Sequence, residues 1–159
     1  MRVTLLAVGR LKSGPERELC ARYAERFGQI GRSIALELAS RELDESAAKR
    51  AADRKTEEER AILSLLPEGA GLIVCDERGK HISSRDFAGK LSSWRDAGRR
   101  EAAIVIGGAD GLSDMLRAKA ELVLAFGSLT MPHQLVRVLV LEQLYRATAI
   151  ISGHPYHRD

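Results

Sequence analysis

The 159-residue sequence has no long apolar run and very little cysteine. No stretch of eighteen apolar residues occurs, which argues against a membrane-spanning helix. The chain begins with a strand pattern and no small-residue cleavage site follows, so no signal peptide is predicted. The two cysteines, Cys20 and Cys75, lack Cys-x-x-Cys spacing. We interpret them as buried free thiols of a protein in the reducing cytoplasm.

The sequence also lacks a large excess of positive or negative charge. The net charge of +3 by itself says little about nucleic acid. The 19 arginines outnumber the 6 lysines, and guanidinium groups suit phosphate recognition, although a high-GC genome gives the same excess. With 45% hydrophobic and 30% charged residues, the composition is that of a globular protein, and the length predicts a single domain over residues 1–159.

Strand patterns alternate with helix patterns along the whole chain. Strands are predicted at 3–8, 34–38, 72–75, 102–106 and 122–126. Helices are predicted from Pro15, over 44–66, from a capping box at Ser83, from Ser113, and over 132–151. The highly charged stretch 53–60 carries both signs, and we interpret it as a solvated helix face rather than an RNA-binding arm. The alternation predicts an α/β fold with a mainly parallel sheet and helices on both faces.

Three predicted strands end in unusual loops. Residues 75–80 follow the third strand, the glycine-rich segment 107–111 follows the fourth, and residues 127–133 follow the fifth. Ligands of open parallel sheets bind beyond the carboxyl ends of the strands, and paired glycines allow close approach to the backbone. These loops therefore predict a nucleotide-like binding site.

Other classes of site have weaker support. The dinucleotide fingerprint Gly-x-Gly-x-x-Gly is absent after the first strand, and neither a Walker A motif nor a Gly-x-Ser-x-Gly elbow occurs. The pair His154 and His157 could in principle hold zinc, but the sequence offers no obvious third and fourth ligand. No metal site is predicted.

Four motifs resemble one known family. They are Ile106-Gly-Gly-Ala-Asp-Gly111, Thr130-Met-Pro-His-Gln-Leu-Val-Arg-Val-Leu139, Glu142-Gln-Leu-Tyr-Arg-Ala147 and His154-Pro-Tyr-His-Arg158. Together they are similar to the ribosomal large subunit methyltransferase H family of the SPOUT superfamily, and the similarity covers the whole chain.

The resemblance implies a fold with a C-terminal trefoil knot and a homodimer. It also implies an S-adenosylmethionine-dependent enzyme of rRNA processing that methylates N3 of a pseudouridine in 23S ribosomal RNA on assembled ribosomes. The sequence alone leaves free RNA, the large subunit and the whole ribosome open as substrates. A non-enzymatic RNA-binding module of the same fold is the alternative, and cofactor binding distinguishes the two.

The resemblance also carries over the residues expected to bind S-adenosylmethionine. They lie at the end of the third strand, after the fourth and after the fifth, and are Cys75, Asp76, Gly108, Gly127, Ser128, Leu129, Thr130, Met131 and Pro132. Two positions depart from the family pattern. Cys75 stands where relatives tend to have leucine, and Gly153 stands where asparagine is common.

The candidate catalytic residues lie in the last helix and the tail. They are His133, Arg146, Tyr156, His157 and Arg158. A histidine at a helix N-terminus tends to stay neutral, so His133 is a candidate proton acceptor, with a capping or packing role as the alternative. The tail offers a ring for base stacking and a guanidinium for phosphate, with a frayed terminus as the alternative. The last helix is apolar nearly all round, which predicts burial against the sheet on one side and a second subunit on the other.

Overall fold

The computed structural model describes residues 1–158, so Asp159, the last residue of the predicted tail, lies outside the described residues. The strands are β1 (Arg2–Val8), β2 (Glu37–Leu43), β3 (Gly71–Lys80), β4 (Glu101–Ile106) and β5 (Leu122–Leu124). The α-helices are α1 (Pro15–Gly31), α2 (Ala51–Leu65), α3 (Ser84–Asp96), α4 (Asp114–Lys119) and α5 (His133–Ser152).

The five strands form one sheet in the order β2-β1-β4-β3-β5, and every pairing is parallel. The carboxyl ends of β4, β3 and β5 therefore lie side by side at one edge. This arrangement confirms the predicted parallel sheet, and it brings the three unusual loops together.

Side chains of the central strands alternate between two apolar cores. In β4, Ala102, Ile104 and Ile106 pack with α1, α3 and α5, whereas Ala103 and Val105 pack with α2 and α4 on the other face. This alternation follows from the two-residue period of a strand. The prediction of helices on both faces is confirmed.

The second strand begins later than predicted. Ile34 belongs to a 3₁₀ turn, Arg32–Ile34, and Ala35 has a left-handed backbone with φ of 55°. The amide of Leu36 donates to the carbonyl of Gly31 at 2.8 Å, so this stretch closes α1 before pairing with β1 begins at Glu37. Of the predicted strand 34–38, Ile34 and Leu36 therefore belong to the end of the helical segment and the turn after it, and only positions 37–38 lie in β2.

Two other element boundaries also differ. The segment 44–50 is not helical, and α2 begins at Ala51 rather than at Asp44. Strand β3 continues past Cys75 to Lys80, because the amide of Ala125 donates to the carbonyl of Lys80 at 3.0 Å. Strand β5 ends at Leu124 rather than at Phe126.

The charged part of α2 is not simply a solvated face, contrary to the prediction. Glu58 and Glu59 are buried, and burial raises the pKa of the Glu58 carboxyl. Glu58 accepts from the amide of Ser46 at 3.2 Å, and Glu59 accepts from the hydroxyl of Ser113 at the start of α4. These two carboxylates connect α2 to the segments around it.

Candidate active site

The C-terminal half of β3, which replaces the first of the three predicted loops, and the loops after β4 and β5 surround a cavity of about 320 Å³. This volume lies in the range of small-molecule sites. Its wall is formed by residues of these three segments and the start of α5: Cys75, Asp76, Glu77, Arg78, Ile106, Gly107, Gly108, Ala109, Asp110, Gly111, Leu124, Ala125, Phe126, Gly127, Leu129, Thr130, Met131, His133 and Val136. The wall joins apolar side chains with carboxylates and backbone from the glycine segments, a combination suited to a ligand with apolar and polar parts.

The carboxylate of Asp76 is held in place by two guanidinium groups. Arg117 donates to its Oδ2 at 2.8 Å, and Arg78 donates to Oδ1 through its backbone amide at 3.0 Å and its Nε at 3.2 Å. Burial alone would raise the pKa of Asp76, but these donors outweigh it and the pKa is lowered. Asp76 is therefore a fixed anion in the cavity wall.

The C-terminal half of β3 and the loop after β5 are joined by a direct hydrogen bond. The hydroxyl of Thr130 donates to Oε2 of Glu77 at 3.0 Å. Both side chains are exposed and line the cavity. A ligand entering the cavity meets this pair at the rim.

An ion pair and close packing attach the loop after β4 to α2. Arg54 donates to both carboxylate oxygens of Asp110, at 2.6 and 3.0 Å, and its hydrogen bond lowers the pKa of that carboxyl. A Cβ on Gly108 would lie 3.0 Å from Oε2 of Glu58 and 3.1 Å from Cγ1 of Val8. Glycine at 108 therefore lets the loop pack closely on α2, while its backbone forms part of the cavity wall.

The cysteine in the wall is chemically inert in this state. Burial raises the pKa of the Cys75 thiol to about 12, so the thiol stays neutral at physiological pH. Both Cys75 and Cys20 are free thiols.

Most of the residues predicted to bind the cofactor line the cavity. Those that do are Cys75, Asp76, Gly108, Gly127, Leu129, Thr130 and Met131, and His133 lines it as well. Ser128 and Pro132 do not appear in the wall. Ser128 is exposed, and Pro132 precedes α5, where its carbonyl accepts from the amides of Leu135 and Val136 at 3.0 and 3.1 Å.

The other predicted catalytic residues form a second cluster at the opposite end of α5. Gly153 ends the helix with a φ of 72°, and this left-handed turn folds the tail back along α5. The hydroxyl of Tyr156 then donates to Oε1 of Glu142 at 2.9 Å, and Arg146 donates to the same oxygen at 3.0 Å through Nε. His157 lies within 3.5 Å of Arg146. Arg158 is exposed.

Contacts between tilted aromatic rings reinforce this tail cluster. The ring of Tyr156 lies 4.4 Å from that of Tyr145, and the guanidinium of Arg146 lies 4.8 Å from the Tyr156 ring. Burial and the hydrogen bond to Glu142 raise the pKa of the Tyr156 phenol. Tyr156 therefore acts as a neutral donor and not as a base. These contacts place Tyr156 and His157 against α5.

The two clusters are far apart within one chain. His133 and Arg146 are thirteen positions apart on the same helix, which at about 1.5 Å per residue separates them by roughly 20 Å along the axis. One copy of the chain does not bring its own tail to its own cavity.

Sequence reasoning missed several residues that the structure places at these sites. Glu77, Arg78 and Arg117 surround Asp76, and the run Asp76-Glu77-Arg78 directly after a buried strand could have indicated the first two. Tyr23 is half-buried, and its ring lies 6.3 Å from that of Tyr145. The guanidinium of Arg26, near the C-terminal end of α1, lies 5.8 Å from the centre of the same Tyr145 ring.

Two further observations concern ligands and membranes. Among residues 1–158, no three His, Cys, Asp or Glu side chains come together in a group that could hold a metal ion. In the same described range, every helix is too short or too polar to cross a membrane.

Comparisons with known proteins agree with this geometry. The model of a family described as predicted SPOUT methyltransferase matches residues 1–157. The ribosomal RNA large subunit methyltransferase H of Bradyrhizobium diazoefficiens is 55% identical over 159 residues and that of Methylorubrum populi 54% over 160 residues; the matches cover 99% of this chain, and 99% and 97% of those proteins. A Haemophilus influenzae Rd KW20 structure described as a probable methylase family protein shares the fold, with a TM-score of 0.51 and 15% identity over 99% of this chain and 70% of the other. The chain therefore belongs to the SPOUT methyltransferases and, among them, to the ribosomal RNA large subunit methyltransferase H family.

Proposed function

We propose that this methyltransferase transfers a methyl group from S-adenosylmethionine to N3 of a pseudouridine in 23S ribosomal RNA. It acts as a cytoplasmic homodimer with a C-terminal trefoil knot, and its substrate is the assembled ribosome. The observation that carries the proposal is the cavity walled by the C-terminal half of β3 and the loops after β4 and β5. The family membership supports the same reaction class.

The residues of the wall fit this cofactor. Ile106, Leu124 and Val136 offer an apolar surface for the adenine ring, while the carboxylates of Glu77 and Asp110 can pair with hydroxyl or ammonium groups. Gly127, Leu129, Thr130 and Met131 of the loop after β5 line the same cavity. When bound, the cofactor supplies a methyl group attached to a sulfonium, which is transferred by in-line displacement. The contribution of the chain is therefore mostly the positioning of donor and acceptor.

We further propose that the tail of one copy completes the cavity of a second copy. Four half-exposed or exposed residues form one stripe along α5 at helical spacing: Leu135, Leu139, Glu142 and Arg146. In a two-fold dimer the same surface pairs with itself. Antiparallel packing of two such stripes would bring the tail cluster of one copy to the His133 end of the other, a distance that one chain alone does not bridge.

The proposal is tested by methylation assays with purified protein and tritiated S-adenosylmethionine in the presence of a chelator. The substrates are 23S transcript, large subunits and whole ribosomes. We expect label at N3 of a pseudouridine, located by mass spectrometry, with whole ribosomes as the best substrate. Binding of RNA without any binding of S-adenosylhomocysteine would instead support the RNA-binding module.

Replacing Leu135 by Asp should separate the dimer. Leu135 is 46% exposed, so the change spares the fold of one chain but puts two charges into the interface. Losing two leucine contacts weakens the dimer by about 3 kcal/mol, or roughly a hundredfold in its dissociation constant. Light scattering should show monomers that bind S-adenosylhomocysteine and do not methylate ribosomes.

Leu65→Asp is the matched control for the dimer, because Leu65 is also an exposed leucine, on α2 at 36%. This variant should stay dimeric and active. A Leu135→Asp monomer that methylates at the parent rate would contradict the composite site.

Replacing His133 by Ala tests whether its imidazole accepts the N3 proton. A positioned base typically contributes about 10²–10⁴-fold to a rate, so kcat should fall by that amount. Affinity for S-adenosylhomocysteine should change little. His81, which is exposed and absent from the cavity wall, provides the control variant His81→Ala. A rise in the cofactor dissociation constant at unchanged kcat would show that His133 is a binding residue instead.

A further inference from the structure

A buried arginine lies in the second turn of α5, next to the cofactor cavity but outside its wall. The side chain of Arg137 is 4% exposed. Its Nη1 donates to Oε1 of Glu42 at 2.8 Å. Its Nη2 donates to the carbonyls of Val8, at 2.8 Å, and Gly9. Within residues 1–158, its Nε has no hydrogen-bond partner.

These contacts join three parts of the fold through one guanidinium. Val8 and Gly9 stand at the carboxyl end of β1, and Glu42 belongs to the edge strand β2. Glu42 also accepts from the amide of Leu11 at 2.9 Å. The ion pair thus fixes the start of α5 to the end of β1, to β2 and to the loop that leads into α1.

A second cavity of about 250 Å³ lies between α1, β1, β2 and α5, with Arg137, Glu42 and Leu141 in its wall. Buried apolar side chains such as Leu11 and Leu141 pack around it, and the directional hydrogen bonds of Arg137 add a second constraint on the first turns of α5. Charge-assisted hydrogen bonds define position more narrowly than apolar contacts do.

The position of Arg137 links this anchor to the active site. His133 lies one helical turn earlier on the same side of α5, and the neighbouring Val136 also lines the cofactor cavity. The loop 127–132 enters the helix directly before His133. Any shift of the first two turns of α5 would move both the loop and the imidazole.

We propose that Arg137 is a positioning residue for S-adenosylmethionine and for His133. It acts through α5 and contacts neither reacting group. The Glu42 side chain is 36% exposed, and an ion pair with one partly exposed partner adds little to stability. The arginine is therefore explained better by the geometry it imposes than by the stability it adds. The inference rests on the proposed function, because it assigns Arg137 to that cofactor site.

The test compares Arg137→Met, Arg137→Lys and Glu42→Gln with the parent protein. Methionine keeps the apolar stem and removes all three hydrogen bonds, whereas lysine keeps the charge but not the planar fork. For Arg137→Met we expect the dissociation constant for S-adenosylhomocysteine, measured by calorimetry, to rise about tenfold. We expect kcat to fall by roughly a hundredfold, the loss that a displacement of about 1 Å causes. Arg137→Lys and Glu42→Gln should give smaller losses of cofactor affinity and of kcat than Arg137→Met.

Leu91→Ala serves as the control for a purely structural effect. Leu91 is fully buried in α3, so this variant should lower the melting temperature without changing cofactor affinity at a temperature where it is folded. Hydrogen exchange of the amides of residues 127–136 should accelerate in Arg137→Met and not in Leu91→Ala. Unchanged affinity and exchange in all three test variants would overturn the inference. Failure of the parent protein to bind S-adenosylhomocysteine would instead overturn the proposed function.

Discussion

Deletion of residues 154–159 is expected to abolish methylation of ribosomes while leaving cofactor affinity nearly unchanged. None of the described tail residues, 154–158, lines the cavity of the same chain, and Glu142, which the tail contacts, lies about 14 Å along α5 from His133, so the tail does not build the cofactor pocket. Stacking on one base contributes about 1–3 kcal/mol and a charged hydrogen bond about 1.5–3 kcal/mol. Losing both predicts at least a roughly hundredfold drop in kcat/KM, measured with labelled cofactor on whole ribosomes.

Tyr156→Phe provides a finer version of this experiment. It keeps the ring that packs 4.4 Å from Tyr145 and removes only the hydroxyl that binds Glu142. Activity should be reduced but measurable, with a raised KM for ribosomes. If the truncated protein methylates at the parent rate, the tail has no part in substrate handling and the assignment of Tyr156, His157 and Arg158 is wrong.

Replacing Gly127 by Val should weaken cofactor binding strongly. Gly127 lines the cavity with a φ of 144°, a conformation that a β-branched residue avoids at a cost of about 1–3 kcal/mol. The loop 127–132 is mostly exposed, so it can relax without disturbing the core. We expect roughly tenfold to hundredfold weaker binding of S-adenosylhomocysteine, measured by calorimetry.

Gly69→Val is the matched control for backbone strain. Gly69 has a φ of 70° in the turn between α2 and β3, with open space around it. Backbone strain in Gly69→Val should lower the melting temperature about as much as it does in Gly127→Val. The cofactor dissociation constant of Gly69→Val should stay unchanged. Parent-like binding by Gly127→Val would show that the loop after β5 does not hold the cofactor.

Local patterns in the sequence were sufficient to predict much of the fold. The strands β1 and β4 follow from short apolar runs, and the capping box at Ser83 is present, with Asp86 donating its amide to the serine hydroxyl at 3.1 Å. The three loops were found because glycine clusters and charged runs directly follow buried strands. Their meeting around one cavity follows from the parallel order of those strands.

Long-range pairing explains what was missed. The burial of Glu58 depends on its neighbour Gly108, fifty positions later, and the role of Glu42 depends on Arg137, ninety-five positions later. No local pattern distinguishes such residues from solvated ones. The separation of the tail from the cavity of its own chain likewise depends on the length and direction of α5, which the motifs alone do not define.

The placement of the two thiols gives the protein its own reporters of local opening. Cys75 lies in the wall of the first cavity and Cys20 in the wall of the second, and burial raises the pKa of both thiols. A buried neutral thiol such as that of Cys20 reacts with alkylating reagents only when its surroundings open, whereas the half-buried thiol of Cys75 is reached through the cofactor cavity. Since the chain contains only these two cysteines, the alkylation rate at Cys20 measures opening on the Arg137 side, and the rate at Cys75 measures how accessible the cofactor cavity is.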